Sequence, residues 1–210
     1  MIVFSNFKKR FKGNPEEILH IPGLVLDNKI YWLKGRNGAG KTSLVKSMAG
    51  LIPFEGEISV DSLTLNNNRM EYRLKVNYAE AEPLYPEFLK GSDLIDLYKY
   101  TKKAATHQVN LLLNRFGMSG YVNNKVGSYS SGMTKKLSLL LAFMGNPKLI
   151  LLDEPFITLD PQALHMVEEL IAEYNYNGAG FIIPSHQGFT IPGADPHISM
   201  VLDNKTILLS

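Results

Sequence analysis

Lys29-Ile30-Tyr31-Trp32-Leu33-Lys34-Gly35-Arg36-Asn37-Gly38-Ala39-Gly40-Lys41-Thr42 is the stretch on which the reading of this chain turns. A short apolar run from Lys29 to Leu33 feeds straight into a glycine-rich segment, and a helical pattern follows from Lys41 to Ala49, closed by Gly50 and Pro53. Gly35 to Thr42 carries the whole G-x-x-x-x-G-K-[ST] pattern, in the strand-then-helix setting that gives the pattern its meaning. The glycines let backbone N–H groups wrap a polyphosphate, and the helix that follows offers its positive N-terminal end. Lys41 is placed to neutralise β and γ oxygens, the Thr42 hydroxyl to reach a magnesium ion, and Ser43 joins the same phosphate-binding set. A tight turn beside a solvated lysine would account for the glycines but not for the complete pattern.

A second stretch points the same way. Lys148 to Leu152 is an unbroken apolar run, as a central parallel strand requires, and it ends in Asp153 and Glu154. Carboxylates there sit at the C-terminal edge of the sheet, where α/β proteins bind ligands, and neither is expected in the core. Asp153 is assigned to the metal, held through water, and Glu154 to polarising the attacking water. Loop and acids together predict hydrolysis rather than binding alone.

The rest of the chain bounds the answer. With 210 residues, 45% of them hydrophobic, it has enough apolar mass for one α/β unit and hardly for two. A formal net charge of +2, without massed Lys or Arg, argues against nucleic acid as a partner. The absence of Cys removes any disulfide or thiolate-metal framework and suits a reducing, cytoplasmic setting. No run reaches the roughly 18 apolar residues of a membrane span. Leu137 to Met144 is short and interrupted by Ser138, and the opening MIVFSNFKKRF reads as a first strand rather than a secretory signal.

Further strands are expected at Ile2 to Phe7, Leu19 to Leu26 and Phe181 to Ile183. Glu57 to Val60 with Ser62 to Leu65 form part of an antiparallel layer, and a terminal hairpin joins Ile198 to Leu202 with Thr206 to Leu209. Helical spacing runs from Ser92, a plausible N-cap, to Phe116 through Val109, Leu112 and Leu113. Another helix is expected from Ser131 to Phe143. Asp160 and Pro161 cap a third, whose apolar stripe is Leu164, Val167, Leu170, Ile171 and Tyr174.

Between the two phosphate-directed stretches lies Tyr129-Ser130-Ser131-Gly132-Met133, at the start of a helix and shortly before the acidic strand. Here the sequence resembles the ABC ATPase family, the nucleotide-binding domains of ABC transporters, whose signature is L-S-G-G-Q. Ser130 and Gly132 match it; Tyr129, Ser131 and Met133 depart, though Y-S-x-G-M is a variant associated with the family. A hydroxyl and bare backbone amides at a helix N-terminus make a γ-phosphate clamp on physical grounds. Leu159-Asp160 resembles the family's D-loop and Ser185-His186 its switch histidine, which implies that His186 contacts the γ-phosphate and attacking water. Phe11 stands where the family places an aromatic that stacks on adenine. One motif departs: the glutamine expected within Tyr78-Ala79-Glu80-Ala81-Glu82-Pro83 is missing, with Ala81 in its place.

The resemblance, from Phe11 to the final hairpin, implies an α/β P-loop NTPase with a RecA-like core, an antiparallel β subdomain and an inserted α-helical subdomain at about 85–145, all within one domain, 1–210. It implies ATP and Mg²⁺ as ligands. It also implies a head-to-tail dimer, of two identical cassettes or of this one with another, in which Ser130 and Gly132 of one copy close over ATP on the other. A separate transmembrane permease would contact the surface from Pro83 to Asp93, placing the chain peripherally on the inner face of the membrane. The rivals are a soluble cassette that remodels a non-membrane complex, a nucleotide sensor that does not hydrolyse, and a small-molecule P-loop kinase; the last leaves Ser130 to Met133 and His186 unexplained. The cargo and the direction of transport lie in chains other than this one.

Overall fold

The computed structural model describes residues 1–13, 16–195 and 197–209. Among these residues, ten strands fall into two sheets. β1 (Ile2–Arg10), β2 (Glu17–Leu26), β4 (Glu55–Val60) and β5 (Leu63–Thr64) form an antiparallel sheet in the order β2-β1-β4-β5. β3 (Ile30–Lys34), β6 (Val76–Ala79), β7 (Leu149–Leu152), β8 (Gly180–Pro184), β9 (Ile198–Asp203) and β10 (Thr206–Leu209) form a second, ordered β10-β9-β3-β8-β7-β6. Neighbours in it run parallel except the edge hairpin β9-β10. Helices are α1 (Lys41–Met48), α2 (Arg69–Lys75), α3 (Gly91–Thr101), α4 (Thr106–Arg115), α5 (Ser131–Ala142) and α6 (Pro161–Tyr176). The fold is the expected α/β P-loop architecture, with a parallel core sheet, an antiparallel layer and helices. Among the described residues no helix is long and apolar enough to cross a membrane.

The parallel sheet is buried on both faces, and the strand period of two sorts its residues. Leu149 and Leu151 of β7 join α1, Tyr31 and Leu33 in a core shared with the antiparallel sheet. Ile150 and Leu152 face the opposite core with α5, α6, Phe181 and Ile183. The apolar run Leu137 to Met144 is the inner part of α5 and its C-terminal turn, wholly buried in that second core.

Several local expectations need correction. The stretch from Ser92 to Phe116 is two helices, α3 and α4, broken where Lys103 adopts a left-handed φ of 53°. No Gly or Pro marks that break. At the break the Lys102 ammonium donates to the carbonyls of Arg73 and Val76. Ser92 is not the N-cap of α3; Lys90 is, and Asp93 accepts from its backbone N–H at 2.9 Å. β1 runs on to Arg10, so the basic Lys8-Lys9-Arg10 lies within a strand, ending at a bulge. The turn between β4 and β5 has φ of 48° at Asp61 and 66° at Ser62, as a two-residue hairpin requires.

α2 and β6 were not anticipated from the sequence. β6 is four residues long and contains Asn77, a polar residue at 2% exposure. Its amide donates to the carbonyls of Ala142 at 2.7 Å and Met144 at 2.8 Å, closing orphan acceptors at the C-terminal end of α5. Replacing Asn77 by Ala leaves both carbonyls buried and unpaired. The Asn77→Ala chain is therefore expected to lose about 1–3 kcal/mol of unfolding free energy, read from the urea midpoint at unchanged slope.

Candidate functional site

The glycine-rich segment forms the turn between β3 and α1. Gly40 caps α1 in the left-handed region at φ 104°, where a side chain would be strained and would press on Leu19 at 3.1 Å. Gly35, at φ 155°, lies against β9 so closely that an added Cβ would meet the Leu202 carbonyl at 2.9 Å. Lys41 folds back over the loop it follows. Its ammonium donates to the carbonyls of Gly35 at 2.8 Å and Arg36 at 3.2 Å. Burial lowers its pKa, and the charges of Glu154 and Asp153 partly oppose that shift.

Across a cleft of about 330 Å³, Asn37, Gly38, Gly40 and the first turn of α1, Lys41 to Ser43, face Ala81, Asp153, Glu154 and His186. Arg36 and Ala39 lie in the same turn without lining this space, and Ala39 packs instead toward the antiparallel layer. Four separate elements thus converge. The sheet edge explains this, because β3, β6, β7 and β8 are parallel and end on one side.

Asp153 corrects one expectation: it is in the core, at 2% exposure, because its N–H extends the ladder to the Ala79 carbonyl beyond the end of β7. Burial raises its pKa, and a bond from the Thr42 hydroxyl counters this. Its Oδ2 has no hydrogen-bond partner. A buried carboxylate oxygen left unpaired beside a threonine hydroxyl fits a magnesium ion or its bound water. Among the described residues no group of three His, Cys, Asp or Glu could hold a metal by itself. An ion here would draw its remaining oxygens from a polyphosphate.

Glu154 stands in the left-handed region at φ 43°, uncommon for a residue with a side chain and frequent at active sites. Its carboxylate accepts the His186 backbone N–H at 3.1 Å, and the His186 Nε2 lies 3.6 Å from it. His186 itself is exposed.

Ser130, Gly132 and Phe11 are not part of this cleft. Ser130 is the N-cap of α5, its hydroxyl accepting from the Met133 N–H at 3.2 Å, and it is exposed, with Gly132 half-buried beside the Thr158 carbonyl. Phe11 lies past the end of β1, 47% exposed, with the Lys9 ammonium 4.6 Å from its ring centre. Asp160 caps α6 through the Ala163 N–H and pairs with Lys136 at 2.7 Å.

Two cations were missed by the sequence reading. Lys46 of α1 pairs with Glu80, so the acid beside Ala81 is turned away toward a helix. Lys135 is 1% exposed and donates to the carbonyls of Glu80, Ala81 and Asp153 at 3.0, 3.2 and 3.0 Å. Burial pulls its pKa down to about 8, against the Asp153 charge. The signal for it was present: at helical spacing, Lys135 shares a face with Ser138, Leu139 and Ala142, all buried.

Residues 24–157 match the family model described as ABC transporter. YhaQ, an uncharacterised ABC transporter ATP-binding protein of Bacillus subtilis strain 168, is 31% identical over 196 residues, covering 90% of this chain and 62% of that relative. The chain therefore spans less than two thirds of that relative's length. A solved ATP-binding subunit of an ABC transporter superposes with TM-score 0.87 at 25% identity, covering 98% of this chain and 87% of that one. A dimeric ATP-binding cassette in a post-hydrolysis state, bound to ADP and Pi, shares the fold with TM-score 0.82 at 19% identity, covering 99% and 96%.

Lys135 offers a direct check on the architecture of the site. Lys135→Met keeps most of the length of the side chain and removes the donor from three carbonyls. It is expected to lower the unfolding free energy by about 1–3 kcal/mol, measured by guanidinium denaturation.

Proposed function

This chain belongs to the ABC transporter family of ATP-binding proteins, and we propose that it is the ATP-binding and ATP-hydrolysing subunit that powers transport through a separate membrane permease. The observation that carries this reading is the convergence of Lys41, Asp153, Glu154 and His186 on one cleft beside the N-terminus of α1.

The loop amides of Gly35 to Gly40, with Thr42 and Ser43, hold the phosphates at the helix end. Lys41 exchanges its two loop carbonyls for phosphate oxygens. Thr42 and Asp153 would hold a magnesium ion, which would supply neutralisation of the phosphate charge. Glu154 takes the proton of the attacking water, and His186, tethered to it through its own backbone N–H, reaches the γ-phosphate. Phe11 stacks on adenine, which agrees with a ring that is half exposed past the end of a strand.

Ser130, exposed, and Gly132, half-buried, stand at the start of α5 outside the cleft and suit a ligand held by another molecule. A head-to-tail pair of cassettes, each closing its α5 end over the other's ATP, gives them that ligand. Closure is then stabilised by ATP and released when hydrolysis removes the bridging phosphate. The unit is one domain, 1–210, with its helical part at about 85–145. Leu84 and Phe88, 91% and 72% exposed, lie on the surface from Pro83 to Asp93 and support a permease contact there. The chain accordingly works on the inner face of the membrane.

Ala81 in place of the family's glutamine favours a second reading, a sensor that binds ATP and does not turn it over. Phosphate release separates the two. With Mg-ATP, release is expected to rise faster than linearly with protein concentration and to fall roughly 100-fold or more in Glu154→Gln. Lys41→Ala is expected to lose nucleotide affinity as well. Glu154→Gln with ATP is expected to elute as a dimer in gel filtration. Tight ATP binding without phosphate release by the native chain, alone or with its permease, would replace the first reading by the second.

A further inference from the structure

Trp32 is the single tryptophan of the chain and stands in β3, paired with Ile183 of β8. Its indole Nε1 donates to the Ser185 carbonyl at 2.9 Å. A partly buried indole needs an acceptor somewhere. The acceptor it takes belongs to the peptide that joins Ser185 to His186, and the N–H of that same peptide donates to Glu154 Oε1 at 3.1 Å. Indole N–H, one peptide unit and the Glu154 carboxylate therefore form a single hydrogen-bonded chain, in which each donor polarises the next.

The ring has little freedom to aim elsewhere. Phe189 lies 5.7 Å and His197 5.3 Å away, centre to centre, and the Lys34 ammonium stands 3.8 Å over the face, itself donating to Ser199 Oγ. Gly188 lets the chain pass close, since a Cβ there would sit 3.3 Å from the ring. Phe156, two residues after Glu154, packs against Phe189 at 5.1 Å, which ties the segment that follows the acid to the cluster that holds the indole.

We propose that Trp32 is a positioning residue for hydrolysis, its indole N–H fixing the Ser185–His186 peptide so that Glu154 and His186 stay aimed into the cleft. This rests on the hydrolytic reading of the site. A γ-phosphate that draws His186 also pulls on the carbonyl that Trp32 holds, so the indole reports the nucleotide state from the other side of the sheet edge.

The test replaces the indole N–H at position 32 by sulfur, using the benzothienyl analogue of tryptophan, with Trp32→Phe as a second variant. Both are expected to lower kcat about 5- to 10-fold with KM for ATP within about twofold, and the analogue to keep the native melting temperature. In the native chain, Trp32 emission is expected to differ between a non-hydrolysable ATP analogue and ADP. A native kcat in the sulfur variant, or a loss confined to KM or to melting temperature, overturns the proposal, as does emission that is identical without nucleotide, with ADP and with the analogue. If the native chain releases no phosphate, the hydrolytic reading falls and this inference with it. If it does release phosphate and the sulfur variant matches it, only this inference falls.

Discussion

The constraint from which the rest follows is that the central strands of the parallel sheet are buried on both faces. A strand with helices on one side and a second sheet on the other has little room for a charged side chain away from its ends. In β7 all four residues are apolar and fully enclosed, alternating between the two cores. Functional groups are therefore displaced to the first residues beyond each strand: Gly35 after β3, Glu80 and Ala81 after β6, Asp153 and Glu154 after β7, Ser185 and His186 after β8. Because those strands are parallel and adjacent, the displaced groups gather on one edge. The site is thus a consequence of burial before it is a set of chemical choices.

Gathering charge at a half-enclosed edge has its own cost, and the neighbouring groups show how it is limited. Asp153 is desolvated and held by Thr42, Lys41 rests on its own loop carbonyls, and Lys46 and Glu80 neutralise each other. Two features stay unresolved without a ligand: an unpaired Asp153 Oδ2 and a lysine whose ammonium is bonded only to neutral oxygens. The first calls for a cation and the second for an anion. A polyphosphate that carries its own cation would satisfy both at once, which a simple anion or a simple metal ion would not.

What could be read beforehand divides along the same physical line. Gly35 to Thr42 was legible because a backbone conformation demands particular residues, and Asp160-Pro161 and Ser130 because helix ends do. Long apolar runs gave β7 and β8. The break between α3 and α4 was hidden, because no local breaker marks it and the carbonyls that Lys102 meets there are distant in sequence. β6 was hidden for a similar reason: Asn77 looks polar and exposed until the end of α5 supplies its partners. The burial of Asp153 was misjudged because a carboxylate at a strand end was taken as surface, whereas the ladder continues one residue past β7. In each case the deciding partner is remote in sequence and close in space.

The missing glutamine shows how far such a remote partner can compensate. Glu80 is occupied by Lys46, and Ala81 has no polar side chain, so this segment offers the cleft little but its backbone. That backbone is nevertheless firmly held, because Lys135 ties the carbonyls of Glu80 and Ala81 to that of Asp153. Lys135 belongs to the first turns of α5, whose N-terminal end carries Ser130 and Gly132. One buried ammonium therefore joins the Glu80–Ala81 segment, Asp153 and α5. Separating any of the three would strand a charge or a carbonyl away from water, a cost of order 1–3 kcal/mol for each orphaned group. Rigidity among these parts is thus built on main-chain oxygens rather than on a side chain at position 81.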